Sequence, residues 1–139
     1  MEIKIGNSSE YLTLENIYPE GGEASYGQSD FYTVTLQLNL NGISSNIGAT
    51  IMVGELSQFL SDLEKLYKSL KYSFVFSSLE DNVELHFSPN TEGHIEIEGY
   101  LRNKDYTGKI NFTIQTDQSY LPSTIEQLKE LLTEIKTRS

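Results

Sequence analysis

The chain contains no cysteine, which removes disulfides, thiolate zinc sites and cysteine nucleophiles from consideration. Basic residues are scarce. Ten Lys and Arg stand against 20 Asp and Glu, leaving a formal net charge of -10. Nucleic-acid binding requires Lys and Arg to displace condensed counterions from phosphate, and here the few cations are scattered along the sequence, so no nucleic-acid partner is expected. Anionic membranes are disfavoured for the same reason. No apolar run approaches the roughly 18 residues that span a bilayer, and the opening MEIKIGNSSEYL has neither a basic n-region nor an apolar h-region. These features predict a soluble, cytoplasmic protein. Catalytic signatures are missing as well: there is no G-x-S-x-G elbow, no phosphate-cradling glycine motif and no H-E-x-x-H. Gly21-Gly22 is a lone pair within a loop, with no helix after it.

What is present fits one domain spanning 1–139. At 139 residues a chain buries about two-thirds of its unfolded surface around a single core. Its organising segment is Glu55 to Leu70, where Leu56, Phe59, Leu60, Leu63, Leu66, Tyr67 and Leu70 recur at helical spacing and form one apolar stripe. Sequence on both sides alternates with period two, so the stripe has the apolar face of a largely antiparallel sheet to lie on. A second helix is predicted from Pro122 to Ser139. Its stripe is Ile125, Leu128, Leu131, Leu132 and Ile135, Ser123 and Glu126 have capping-box spacing, and Lys136 and Arg138 complement the dipole at its end.

About eight strands account for the rest. Ile3 and Ile5, then Leu12 and Leu14, flank the turn signal Gly6-Asn7-Ser8-Ser9. Residues 19–30 lack any period and are rich in turn formers, reading as an exposed loop that is either functional or simply mobile. The next hairpin specifies itself. Asn41-Gly42 favours a two-residue type I′ turn, which sets Leu40 opposite Ile43, Leu36 opposite Ile47, Val34 opposite Ala49 and Tyr32 opposite Ile51, all on one side. Thr33, Thr35, Gln37 and Asn39 then face water. After the first helix, four short strands follow as a meander: Tyr72 to Phe76, Val83 to Phe87, Ile95 to Leu101 and Ile110 to Ile114. The fold class is α+β, a mainly antiparallel sheet with one central and one C-terminal helix packed on it.

One cluster has a chemical look. Aligning Phe87 with Ile95 and Leu85 with Ile97 sets His86 opposite Glu96 and Glu84 opposite Glu98, with His94 at the turn end. Two histidines and three carboxylates are metal-ligand types, but an open sheet face offers no second layer of groups to orient them. A solvated His–Glu face accounts for the same residues, and no metal or other cofactor is expected. Glu84, Glu96 and Glu98 are the better candidate for an acidic recognition patch. Glu80-Asp81 falls at a turn, which explains the aspartate by itself, and Asp117 can close an Asx turn before the last helix. The net negative charge has two readings: solubility alone, or a surface that meets a basic partner.

The helix carrying Leu56, Phe59, Leu63 and Leu66 after a hairpin, the strand Ile95-x-Ile97-x-Gly99-x-Leu101, and Phe112 followed by Asp117-Gln118-Ser119-Tyr120-Leu121 together resemble the WapI-like family of bacterial immunity proteins, over roughly Phe31 to Ile135. The resemblance implies a non-catalytic protein that neutralises a cognate toxin domain by binding it. In the type member of that family the toxin attacks RNA, and a nuclease presents a positive surface to its substrate. Competing readings are an enzyme or small-molecule-binding protein, which would need a deep pocket with converging polar groups, and a housekeeping domain whose acidity only maintains solubility.

Overall fold

The structure, a computed structural model, describes residues 1–23, 26–90 and 92–138. Parts of three expectations, the loop at Ala24 and Ser25, the turn at Thr91 and the helix end at Ser139, lie outside the described residues. The α+β expectation holds, with the strands divided between two sheets. β1 (Ile3–Gly6), β2 (Tyr11–Pro19), β3 (Phe31–Leu40) and β4 (Ile43–Met52) form one antiparallel sheet. α1 (Val53–Ser69) follows. β5 (Phe74–Ser77), β6 (Val83–Pro89), β7 (His94–Arg102) and β8 (Lys109–Asp117) form the second sheet, and a short 3₁₀ turn at Gln118–Tyr120 leads into α2 (Leu121–Arg138). Four strands and a helix thus occur twice in succession.

The β3–β4 register is the one that the Asn-Gly turn dictates. Leu40 pairs with Ile43, Leu36 with Ile47, Val34 with Ala49 and Tyr32 with Ile51, and Gly42 adopts the positive φ of +83° that the turn needs. Correct pairing puts Tyr32, Val34, Leu36, Ala49 and Ile51 in the core. β2 makes its own adjustment. A bulge between Glu15 and Tyr18 interrupts its pairing with β3, with Asn16 at a φ of +51°, and it leaves Tyr18 exposed.

The two helices close a single core shared by both sheets. α1 packs against β4, β5 and α2, while α2 also packs against β1. Phe59 of α1 sits at the centre of an aromatic cluster: its ring centroid lies 4.4 Å from that of Phe76 and 5.7 Å from that of Phe87, and Phe74 stacks on Phe87 at 4.5 Å. Outside the core the helices are joined by the pair between Lys129 Nζ and Glu64 Oε2 at 3.5 Å.

Both helix starts are capped by specific groups. At α1 the side chain of Glu55 reaches back to accept from the Met52 N–H at 2.8 Å, and the carbonyls of Asp30 and Gln28 accept from the Val53 and Gly54 N–H groups at 3.0 and 2.8 Å. The second half of the loop after β2 therefore satisfies helical donors that would otherwise be orphaned. At the C-terminal helix the Ser123–Glu126 capping box does not form. The 3₁₀ turn adds a start upstream, so Ser123 lies inside the helix, where its hydroxyl accepts from Gln127 at 3.3 Å. The capping role falls to Asp117, whose carboxylate accepts from the Ser119 N–H at 2.8 Å.

Replacing Phe59 by Ala removes the ring on which three others rest. Equilibrium urea unfolding is expected to register a loss of about 3–5 kcal/mol; a loss under about 1 kcal/mol would mean that the cluster is not where the two sheets are held together.

Candidate functional site

Inner faces are consumed by the core, so any recognition surface is built from outer faces, edges and loops. On the second sheet the alternation of β6, β7 and β8 turns Glu84, His86, Glu96, Glu98, Tyr100, Arg102, Lys109, Asn111, Thr113 and Gln115 outward. The three carboxylates singled out from the sequence share this face. Glu96 and Glu98 are exposed, whereas Glu84 is half-buried.

Their cross-strand partners differ from expectation. Phe87 pairs with Ile97, not Ile95, and Leu85 with Gly99, which shifts β7 by two residues. A shift of two preserves which side each residue faces and changes only its neighbour. His86 therefore stands opposite Glu98, Glu84 opposite Tyr100, and Glu96 between Ser88 and Gln115. Pairing Phe87 with Ile95 leaves residues 88–94 to the turn, whereas β6 extends through Pro89, which pairs with Ile95, and the connection is shorter.

The register gives this face two halves. In the acidic half, His86 Nε2 lies 2.9 Å from Glu84 Oε2. Glu84, His86, Glu98, Gly99, Tyr100 and Asn111 line an open depression of about 310 Å³. Its floor is tightly made: a Cβ on Gly99 would fall 2.5 Å from the Glu84 carbonyl oxygen. In the other half, Tyr100 donates its hydroxyl to Asp81, and Arg102 Nη1 lies 3.0 Å from the same carboxylate. Lys109 Nζ stands 4.2 Å over the Tyr100 ring and the Arg102 guanidinium 5.5 Å from it. The bond to Asp81 pushes the Tyr100 hydroxyl up to about 12. Sequence reading left this second cluster unassigned. Its only trace was the two-residue spacing of Tyr100 and Arg102, because Asp81 reaches them from a turn 19 residues away, where it holds a φ of +58°.

His94 is not part of the depression. It pairs with Asp117 at the far end of β7, and its Nε2 is 4.0 Å from Glu92. Asp117 is held below the usual carboxylate range, first by the Ser119 hydroxyl and then by the Ser119 N–H, with His94 nearby. Among the described residues, no group of three or more His, Asp or Glu is placed to hold a metal ion, and no helix is long and apolar enough to cross a membrane.

Two further carboxylates are held within the fold. Glu55, raised chiefly by burial, accepts from the N–H groups of Met52 and Leu79 at 2.8 and 2.7 Å. Asp62, buried on α1, accepts from the Tyr72 hydroxyl at 2.7 Å and from the Gln58 amide at 3.1 Å. Both roles are structural: Glu55 caps α1, and Asp62 ties α1 to the segment before β5.

The fold defines the class first. The plant transcriptional regulator PBF-2 superimposes with a TM-score of 0.57 at 15% identity, covering 99% of this chain and 90% of that one. WHY1 from Arabidopsis thaliana gives 0.55 at 14%, covering 95% and 88%, and WHY3 from the same plant gives 0.54 at 13%, covering 97% and 88%. At such identities the likeness is one of fold alone. No curated protein matches the sequence. The family model for the WapI-like immunity proteins matches residues 3–136, and the chain belongs to that family.

The Tyr100–Asp81 bond makes a pH prediction. A folded-state pKa above the ordinary 10.0 means that the folded chain holds this proton more tightly than the unfolded one. The associated stability is full below pH 10.0 and is lost as pH rises toward about 12. In Asp81→Gly, which suits the left-handed backbone, the Tyr100 titration followed by NMR at its ring carbon is expected to fall back toward 10.0. An unmoved midpoint would remove Asp81 as the cause.

Proposed function

We propose that this protein is a cytoplasmic immunity protein that neutralises a cognate basic toxin domain by binding it, without chemistry of its own, and that the outer face of β6, β7 and β8 is the contact surface. The observation that carries this reading is that Glu84, Glu96 and Glu98 share one outer sheet face in a chain of net charge -10 that belongs to an immunity family. A toxin acting on nucleic acid must present cations to phosphate. An acidic face competes for those cations, speeds the encounter and occludes the site.

The geometry gives the competing readings less support. An enzyme would need converging acid, base and orienting groups in an enclosed site, and the depression beside Glu84 is open to solvent. A nucleic-acid role, by analogy with the plant transcriptional regulator of like fold, runs against the charge balance.

Reversing three charges tests the surface. Glu84→Lys, Glu96→Lys and Glu98→Lys combined are expected to slow association with a cognate toxin domain by about tenfold or more at low salt, measured by stopped-flow. Unchanged rates would reject this face as the contact surface.

A further inference from the structure

The four sheet edges of this molecule are treated unequally. An edge strand presents a row of unpaired N–H and C=O groups, and proteins ordinarily blunt it with charge, proline, brevity or a cover. β1 is covered by α2: the Lys4 N–H donates to Gln127 Oε1 at 2.8 Å, and its carbonyl accepts from the Thr124 hydroxyl. On β8 the Gln115 carbonyl accepts from the Asn7 side-chain amide. β5 is four residues long with α1 packed beside it. β4 is the exception, with ten residues, no proline, no charge, and, among the described residues, no strand on its outer side. Charge is in fact absent from Phe31 through Gly54, the whole β3–β4 hairpin and its exit, although charged residues make up 22% of the chain.

Register identifies the free groups. Backbone bonds in an antiparallel pair alternate, and the Val53 N–H to Asp30 carbonyl bond continues the ladder. Ile43, Ser45, Ile47, Ala49 and Ile51 therefore bond to β3, while the backbone groups of Ser44, Asn46, Gly48 and Thr50 point away from it. At Gly48 the Lys104 stem lies alongside, its Cε 3.4 Å from where a Cβ would be, so the open part is Ile43 to Ile47. There the inner side is only partly covered: Ile43 is 54% exposed, while Ile47 is half-buried against the edge of the core.

We propose that a second copy of this chain pairs with β4 edge to edge, antiparallel about a two-fold axis at Ser45. Ser44 of each copy then faces Asn46 of the other, where hydroxyl and amide can bond, and Ile43 faces Ile47, which covers the exposed isoleucine. Charge selects this occupant. Two molecules of net charge -10 repel over most of their surfaces, and an edge that carries no carboxylate, with Lys104 beside Gly48, lets them approach without acidic groups opposed. A cationic toxin gains nothing electrostatically from this edge. The pairing uses none of Glu84, Glu96 and Glu98, so it stands or falls independently of the toxin-binding reading.

Sedimentation equilibrium on the full chain from about 1 μM to about 1 mM tests it. The wild type is expected to dimerise. Asn46→Pro, which removes an outward N–H while sparing the bonds to β3, and Ile43→Lys, whose side chain is exposed in the single copy, are each expected to weaken the dimer by about tenfold or more, with unchanged circular dichroism. A wild type monomeric throughout overturns the proposal, including the case where Asn46→Pro then fails to bind the toxin domain, which would give the edge to that partner. A dimer untouched by both variants overturns it as well.

Discussion

Each of the eight strands has one apolar face, and burying all of those faces in a single core is the constraint from which the rest of the molecule follows. Neither helix could satisfy it alone. α1 bridges β4 and β5 and carries Phe59 into the aromatic cluster of the second sheet, while α2 lies along β1 and against α1. Once both inner faces are spent, what the protein can offer a partner is restricted to the outer faces of sheets and helices, the edges and the turns.

The two outer faces differ in kind. The β1–β4 sheet turns hydroxyls and amides to solvent from Thr33, Thr35, Gln37, Asn39, Ser44 and Asn46, whereas the β5–β8 sheet carries Glu96 and Glu98 toward one end and the Tyr100, Arg102 and Lys109 cluster at the other, with Glu84 opposite Tyr100 between them. The Asp81 bond holds Tyr100 beneath those two cations, and Tyr100 stands directly opposite Glu84, where the acidic and basic groups of the face meet. The plant proteins of like fold illustrate that the scaffold by itself assigns no function; surface chemistry does.

Local rules made much of this legible. Period-two alternation located the strands, helical spacing located both helices, and a two-residue Asn-Gly turn fixed four cross-strand pairs at once. The β6–β7 pairing was missed because residues 89–93 carry no comparable turn signal, and alternation alone is indifferent to a shift of two. Sharing of a face survived the error, since parity is all it requires. The Asp81–Tyr100 contact and the carbonyl caps from Gln28 and Asp30 were invisible for another reason: they join segments through three-dimensional proximity, with no periodic trace in the chain. The Ser123 box failed because the 3₁₀ turn starts the last helix earlier than its spacing implied.

What remains is whether the acidic half of the β5–β8 face is where a partner sits. Titrating the isotopically labelled protein with a basic toxin domain of the kind proposed as its partner, and following every backbone amide by NMR, reads this directly. The account requires the largest shifts at the outward positions of β6 and β7 around Glu84, His86, Glu96 and Glu98, with the Thr33–Asn39 face of the first sheet unmoved. Shifts concentrated on the first sheet, or none at saturating partner, would contradict it.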